Sequence, residues 1–209
     1  MAYMANDYAK LIGMAGFSEA LLKNHFTLYQ GYVTNTNKVL EILEQTLKND
    51  RTATPEFAEL KRRLGWEFNG MRLHEYYFDN LGGTATHDVG INLGKKLAKN
   101  FGSIDAWERD FRTTGAMRGI GWAVLYQDSE NGGLINFWIN EHDAGHPAGC
   151  KPLLVMDVFE KSLYIVGPFQ PVIEHESMFK DIHDQYRHAT RRVPLVVLVD
   201  PEIDEPAVC

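Results

Sequence analysis

Phe101-Gly-Ser-Ile-Asp-Ala-Trp-Glu-Arg-Asp-Phe111, running on into Gly119-Ile-Gly-Trp-Ala-Val-Leu125, decides how this chain is read. Ser103 with Asp105 caps an amphipathic helix over about 103 to 115. The character then changes, and Gly121 to Tyr126 is a short β-branched and aromatic run of the kind that forms a strand. The chain passes from helices to strands at this point, which places it in the α+β class.

Toward the C-terminus, Asp128-Ser-Glu-Asn-Gly-Gly133 is a hairpin-type turn containing Asn-Gly. Leu134 to Ile139 and Leu153 to Met156 are two further strand-like runs, so the expectation is a small three-stranded antiparallel sheet flanked by helices. Residues 157 to 165 and 175 to 191 return to a helical pattern, and Pro194, Pro201 and Pro206 mark an extended acidic tail. Toward the N-terminus, an amphipathic helix is expected over about 89 to 101, preceded by the small, polar stretch 82 to 88, which reads as a linker. Before it, Thr54-Pro55-Glu56 opens a helix carrying Leu60, Leu64, Phe68, Met71, Leu73, His74 and Phe78, closed by Leu81-Gly82-Gly83. Ser18 opens the first helix, with Leu21, Leu22, His25, Phe26, Tyr29, Tyr32 and Val33 at helical spacing. That pattern continues to Leu47 as one long helix or two in series, and Asn49-Asp50 ends it. Residues 1 to 17 show no periodicity. The expected organisation is a helical hairpin domain over 1–86, an α/β domain over 87–192 and a tail over 193–209.

At 209 residues and 44% hydrophobic, the chain can bury a sizeable core. A net charge of −7 argues against unspecific binding of nucleic acid or a membrane surface. Cys150 and Cys209 do not make a disulfide framework, and both read as incidental thiols. The N-terminus has no apolar run suited to a signal peptide, and no stretch approaches the ~18 apolar residues of a membrane span. The expected location is the cytoplasm. Arg62-Arg63 and Lys95-Lys96 read as solvated helix faces, and Leu195 to Val199 as an apolar patch on the tail.

Of the eight histidines, His25 and His74 lie on apolar helix faces and His142 follows a strand in Asn140-Glu-His-Asp143. Asp157 closes the run Leu153-Leu-Val-Met-Asp157, where a buried carboxylate needs a partner. Taken singly, such a histidine is a hydrogen-bonded core residue and such an aspartate a helix cap.

The order of the motifs changes that weighing. Phe101-Gly-Ser with Gly119-x-Gly-Trp122, Gln30-Gly-Tyr32-Val33, His74-x-x-x-Phe78 and Pro152-Leu-Leu-Val-Met-Asp157-Val-Phe-Glu160 together resemble the iron/manganese superoxide dismutase family over about residues 18 to 165. The resemblance implies a helical hairpin and an α/β domain that jointly hold one iron or manganese through three histidines, one aspartate and a solvent molecule. It also implies that the metal alternates between two oxidation states as it turns over superoxide, tuned by outer hydrogen-bonding groups. By position, His74 and Asp157 match ligands, and His142 matches the outer position filled by Gln or His. Tyr32 matches the tyrosine at the substrate entrance, Glu160 and Tyr164 match dimer-interface positions, and Trp122 and Phe159 fit the aromatic shell. A homodimer is implied, with superoxide or dioxygen as the small substrate.

Two positions depart from the family. The last ligand, a histidine four residues after the aspartate, is replaced by Lys161. Counting back from Tyr32 puts Asn24 at the first ligand position and His25 one residue late. A one-residue irregularity in the helix would bring His25 to the metal, with Tyr29 in place of an outer histidine. Lys161 offers three donors and no acceptor, and its ammonium can neutralise Asp157 at i+4. Three readings follow. One is a superoxide dismutase-like metalloprotein with an altered ligand set of His25, His74 and Asp157. Another is a metal-free family member kept as a structural or interaction protein. The third is an oxygen-activating non-haem iron enzyme with two histidines and one carboxylate.

Overall fold

Ser18 starts the first helix by accepting a hydrogen bond from the Leu21 backbone N–H at 3.1 Å. In the computed structural model, which describes residues 2–14, 16–81 and 91–158, helix α1 then runs over Glu19–Lys48 and α2 over Pro55–Asn80. Helix α3 spans Ile91–Phe101 and α4 spans Ile104–Gly115. Strands β1 (Gly121–Asp128), β2 (Leu134–Asn140) and β3 (Cys150–Asp157) follow.

α1 is one helix, not two in series. Its buried residues, Leu22, His25, Tyr29, Val33, Thr36, Val39 and Leu43, recur every three or four positions and form one continuous stripe. Asp50, at φ 53°, leaves the helical region and ends it. Thr54 caps α2 through the Phe57 N–H, with Pro55 in the first turn. α2 lays Gly70, Met71, His74 and Phe78 against α1. A Cβ on Gly70 would stand 2.6 Å from Tyr32 Cδ1, so the two helices meet closely where that position has no side chain.

The sheet has the order β2-β1-β3, antiparallel throughout. β1 is central, and Gly121 to Tyr126 are all buried. Its side chains alternate between two cores, as a strand requires. Trp122, Val124 and Tyr126 pack with the helical hairpin, while Ala123 and Leu125 pack with Leu93, Leu97, Trp107 and Phe111 of α3 and α4. The sheet is thus a wall between two helical layers. Ser103 caps α4 by accepting from the Ala106 N–H at 3.0 Å. The expected hairpin turn forms, with the Asp128 carboxylate accepting from the Glu130 N–H and the Asn131 amide.

The strands are longer than their apolar runs. β3 extends from Cys150, and Asp157 belongs to it, paired with Trp122. The ladder continues one residue further, where the Val158 N–H donates to the Gly121 carbonyl at 3.0 Å. The expected helices beyond it, the 82–88 linker and the tail lie outside the described residues. So do the residues on either side of the expected boundary at 86/87. Residues 2–14 carry more structure than their composition suggests: Tyr8 and Leu11 are buried in the hairpin core. Among the described residues, no helix is long and apolar enough to cross a membrane.

Candidate metal centre

Four separate pieces of chain converge between the hairpin and the sheet. α1 brings His25 and Tyr32, α2 brings His74, β3 ends on Asp157, and the turn after β2 brings His142. A hydrogen bond from the Val155 N–H to Asn80 Oδ1, at 2.9 Å, ties the end of α2 to β3 and sets their spacing. One ligand atom from each of His25, His74 and Asp157 lies within 4.8 Å of the others. All three residues are buried, at 8%, 4% and 6% exposure, and His142 is fully enclosed.

Each polar group is oriented by a neighbour. The Gly70 carbonyl lies 2.6 Å from His74 Nδ1. A carbonyl only accepts, so Nδ1 carries the proton and Nε2 keeps its lone pair. Burial, reinforced by the nearby His25, pushes the His74 pKa down to about 3, which keeps the ring neutral. Trp122 Nε1–H donates to His142 Nδ1 at 3.0 Å. Burial pushes His142 down to about 4. The neutral ring therefore carries its proton on Nε2 and donates it to the Tyr32 hydroxyl at 2.8 Å. Burial, then the Glu67 carboxylate, raises the Tyr32 pKa, so the phenol keeps its own proton at neutral pH. His25 Nε2 and Asp157 Oδ2 stand 3.1 Å apart.

The walls are aromatic. Trp122 and Tyr32 lie about the His74 ring at centroid distances of 5.0 and 5.1 Å, and Phe78 and Tyr77 lie about His25 at 5.1 and 5.3 Å. Such walls exclude water and strengthen the electrostatics inside. Two imidazoles with one carboxylate are a donor set suited to a first-row transition metal, and the oriented Nε2 of His74 fits that use.

The one-residue irregularity expected in α1 is absent. The helix is regular through His25, and Asn24 is exposed. His25 reaches the cluster because it lies seven residues, two turns, before Tyr32 and shares its face. The Tyr29 hydroxyl donates to Glu75 Oε1 at 3.0 Å and accepts from the Asn6 N–H at 2.9 Å, which ties α1 to α2 and to the N-terminal segment. Phe159, Glu160, Lys161 and Tyr164 lie outside the described residues.

Several contributors escaped the sequence reading. Gly70 binds the His74 ring and makes room for Tyr32, and its place four residues before His74 is the signal that could have found it. Trp66 packs its ring 5.0 Å from His142. His146 and Tyr126, hydrogen-bonded to each other at 2.8 Å, stand behind His142.

A helical hairpin closed by a small sheet around two imidazoles and a carboxylate defines a class of mononuclear metal-site folds. The family described as iron/manganese superoxide dismutases, C-terminal domain, matches residues 89–166. An iron superoxide dismutase of Cupriavidus metallidurans is 31% identical over 183 residues, covering 85% of this chain and 89% of its own length. One of Saccharolobus solfataricus, also named for iron, is 33% identical over 141 residues, 66% of this chain and 67% of the relative. A manganese superoxide dismutase of Haloferax volcanii is 33% identical over 149 residues, 70% and 72%. The chain belongs to the iron/manganese superoxide dismutase family.

Proposed function

We propose that this chain converts superoxide at one iron or manganese held by His25, His74 and Asp157. The observation that carries this reading is the buried trio of ligand atoms within 4.8 Å. When bound, the metal would supply one-electron redox chemistry, taking an electron from one superoxide and giving one to the next. The protein's own groups do the rest. The Gly70 carbonyl presents the His74 lone pair, and Trp122 fixes the tautomer of His142. Because the Tyr32 oxygen accepts from His142, its own proton is left to donate to an anionic oxygen species. The aromatic rings around the trio limit the access of bulk water. Glu160 and Tyr164 are proposed as homodimer contacts, on their match to the family pattern alone.

The ligand set departs from the family's four protein ligands at Lys161. The second reading, a metal-free family member, draws on the 3.1 Å approach of His25 Nε2 to Asp157 Oδ2, which can satisfy the carboxylate without an ion. Oxygen activation at the same three groups has no separate observation in its favour. Elemental analysis and superoxide turnover, measured on the wild type beside Lys161→His, separate the two. Stoichiometric iron or manganese with turnover in the wild type supports the first reading. Metal only in the substituted chain overturns it in favour of the second.

A further inference from the structure

His142 is held at two ends by one strand. Trp122 of β1 grips its ring, as described above. Tyr126, four residues further along β1 and in the same core, stands behind its backbone. The Tyr126 hydroxyl lies 2.8 Å from His146 Nδ1, and His146 Nε2 lies 2.9 Å from the His142 carbonyl. The carbonyl can only accept, so Nε2 carries the proton. In the neutral ring Nδ1 then accepts, and the tyrosine donates.

The turn between them needs holding. β2 stops at Asn140, and Glu141 adopts φ 50°, a left-handed conformation that costs a non-glycine residue. The Glu141 N–H is pinned to the Ile120 carbonyl at 2.9 Å, and Asn140 N–H donates to the Ala144 carbonyl at 2.8 Å. Gly145, at φ 105°, passes so close to the Trp138 carbonyl that a Cβ there would stand 2.7 Å from its oxygen. His142 thus rides on a strained turn whose central carbonyl is bonded by a side chain from the turn's far end.

We propose that His146, braced by Tyr126, is a positioning residue for His142: it fixes the backbone from which the imidazole spans Trp122 and Tyr32. Strain in the turn persists only where the surroundings hold it; the two backbone bonds hold its ends, and this relay holds the His142 carbonyl itself. For activity the inference rests on the superoxide reading above; the geometric effect stands apart from it.

The test compares His146→Ala, His146→Gln and Tyr126→Phe in the full chain. Glutamine can donate to the His142 carbonyl and accept from Tyr126, so it keeps both bonds; alanine keeps neither. The readout is solvent exchange of the Trp122 indole N–H by NMR, on protein stripped of paramagnetic ions, with thermal unfolding as a control for global folding. Exchange is expected to rise about tenfold in His146→Ala, to rise in Tyr126→Phe, and to stay near wild type in His146→Gln. Unchanged exchange in a folded His146→Ala, or equal changes in the alanine and glutamine variants, would overturn the proposal. Superoxide turnover of the chain as purified is measured alongside. If the wild type shows none, the superoxide reading fails, while the indole exchange still decides the role of His146.

Discussion

Tyr32 and His142 are joined by a 2.8 Å hydrogen bond across 110 residues of sequence. The bond links the helical hairpin to the turn after β2, and it directs the tyrosine's proton away from the histidine. Replacing Tyr32 with Phe keeps the ring against Gly70 and removes only the hydroxyl. Superoxide turnover should fall by about a hundredfold, the lower end of the range for losing a positioned proton donor. Iron or manganese content should be unchanged. Turnover equal to wild type in a fully loaded Tyr32→Phe chain would remove the phenol from the chemistry.

Gly70→Ala tests the helix contact. Helix propensity alone favours alanine by about 1 kcal/mol. The added Cβ would lie 2.6 Å from Tyr32 Cδ1, so the ring or the helix must move. Overpacking of this kind costs about 1–3 kcal/mol, and the net change in urea denaturation should be destabilising. A stabilised variant would show that the α1–α2 contact yields freely.

Acid should weaken the metal-free chain. His74 and His142 titrate near 3 and 4 in the folded protein, below the ordinary histidine value of about 6.5. The unfolded chain therefore binds protons more readily, so stability is full above about pH 6.5 and falls as pH drops toward 4. The loss is on the order of a few kcal/mol. Urea midpoints measured from pH 7.5 to 4.5 should decline, and the decline should be shallower in His142→Gln, which cannot titrate. An identical slope in that variant would contradict the assigned neutral state of His142.

Metal removal supplies the fourth check. A ligand that binds only the folded state raises the unfolding midpoint. Dialysis against a chelator should lower the thermal midpoint of the wild type, and added iron or manganese should restore it. His74→Ala should show neither response. A chelator effect that survives in His74→Ala would place the ion elsewhere.

Much of the frame was legible in local signals. Ser18, Thr54 and Ser103 each cap the helix they were read to cap, because a cap acts within three residues of the helix start. The apolar spacing of α1 matched its buried stripe at Leu22, His25, Tyr29, Val33 and Leu43, whereas Leu47 is exposed, and the Asp128 turn formed as read. The ends of the strands were less legible. β3 reaches from Cys150 to Asp157 because pairing with β1 extends the ladder through residues whose side chains are not apolar. The expected irregularity at His25 came from counting along the family pattern, whereas a regular helix already puts His25 and Tyr32 on one face.

The titratable groups that meet were named through the ordered motifs of the family resemblance; by itself, local sequence determined the described helices, the three strands, and their caps and turns. Those depend on propensity and periodicity over a few residues. Only the tertiary structure decided which nitrogen of His74 or His142 carries its proton, that Gly70 seats Tyr32, and that Trp122 and Tyr126 hold His142 from one strand. These are contacts between segments far apart in the chain. They are set by close packing and by the need of every buried polar group for a partner, and no local pattern encodes them.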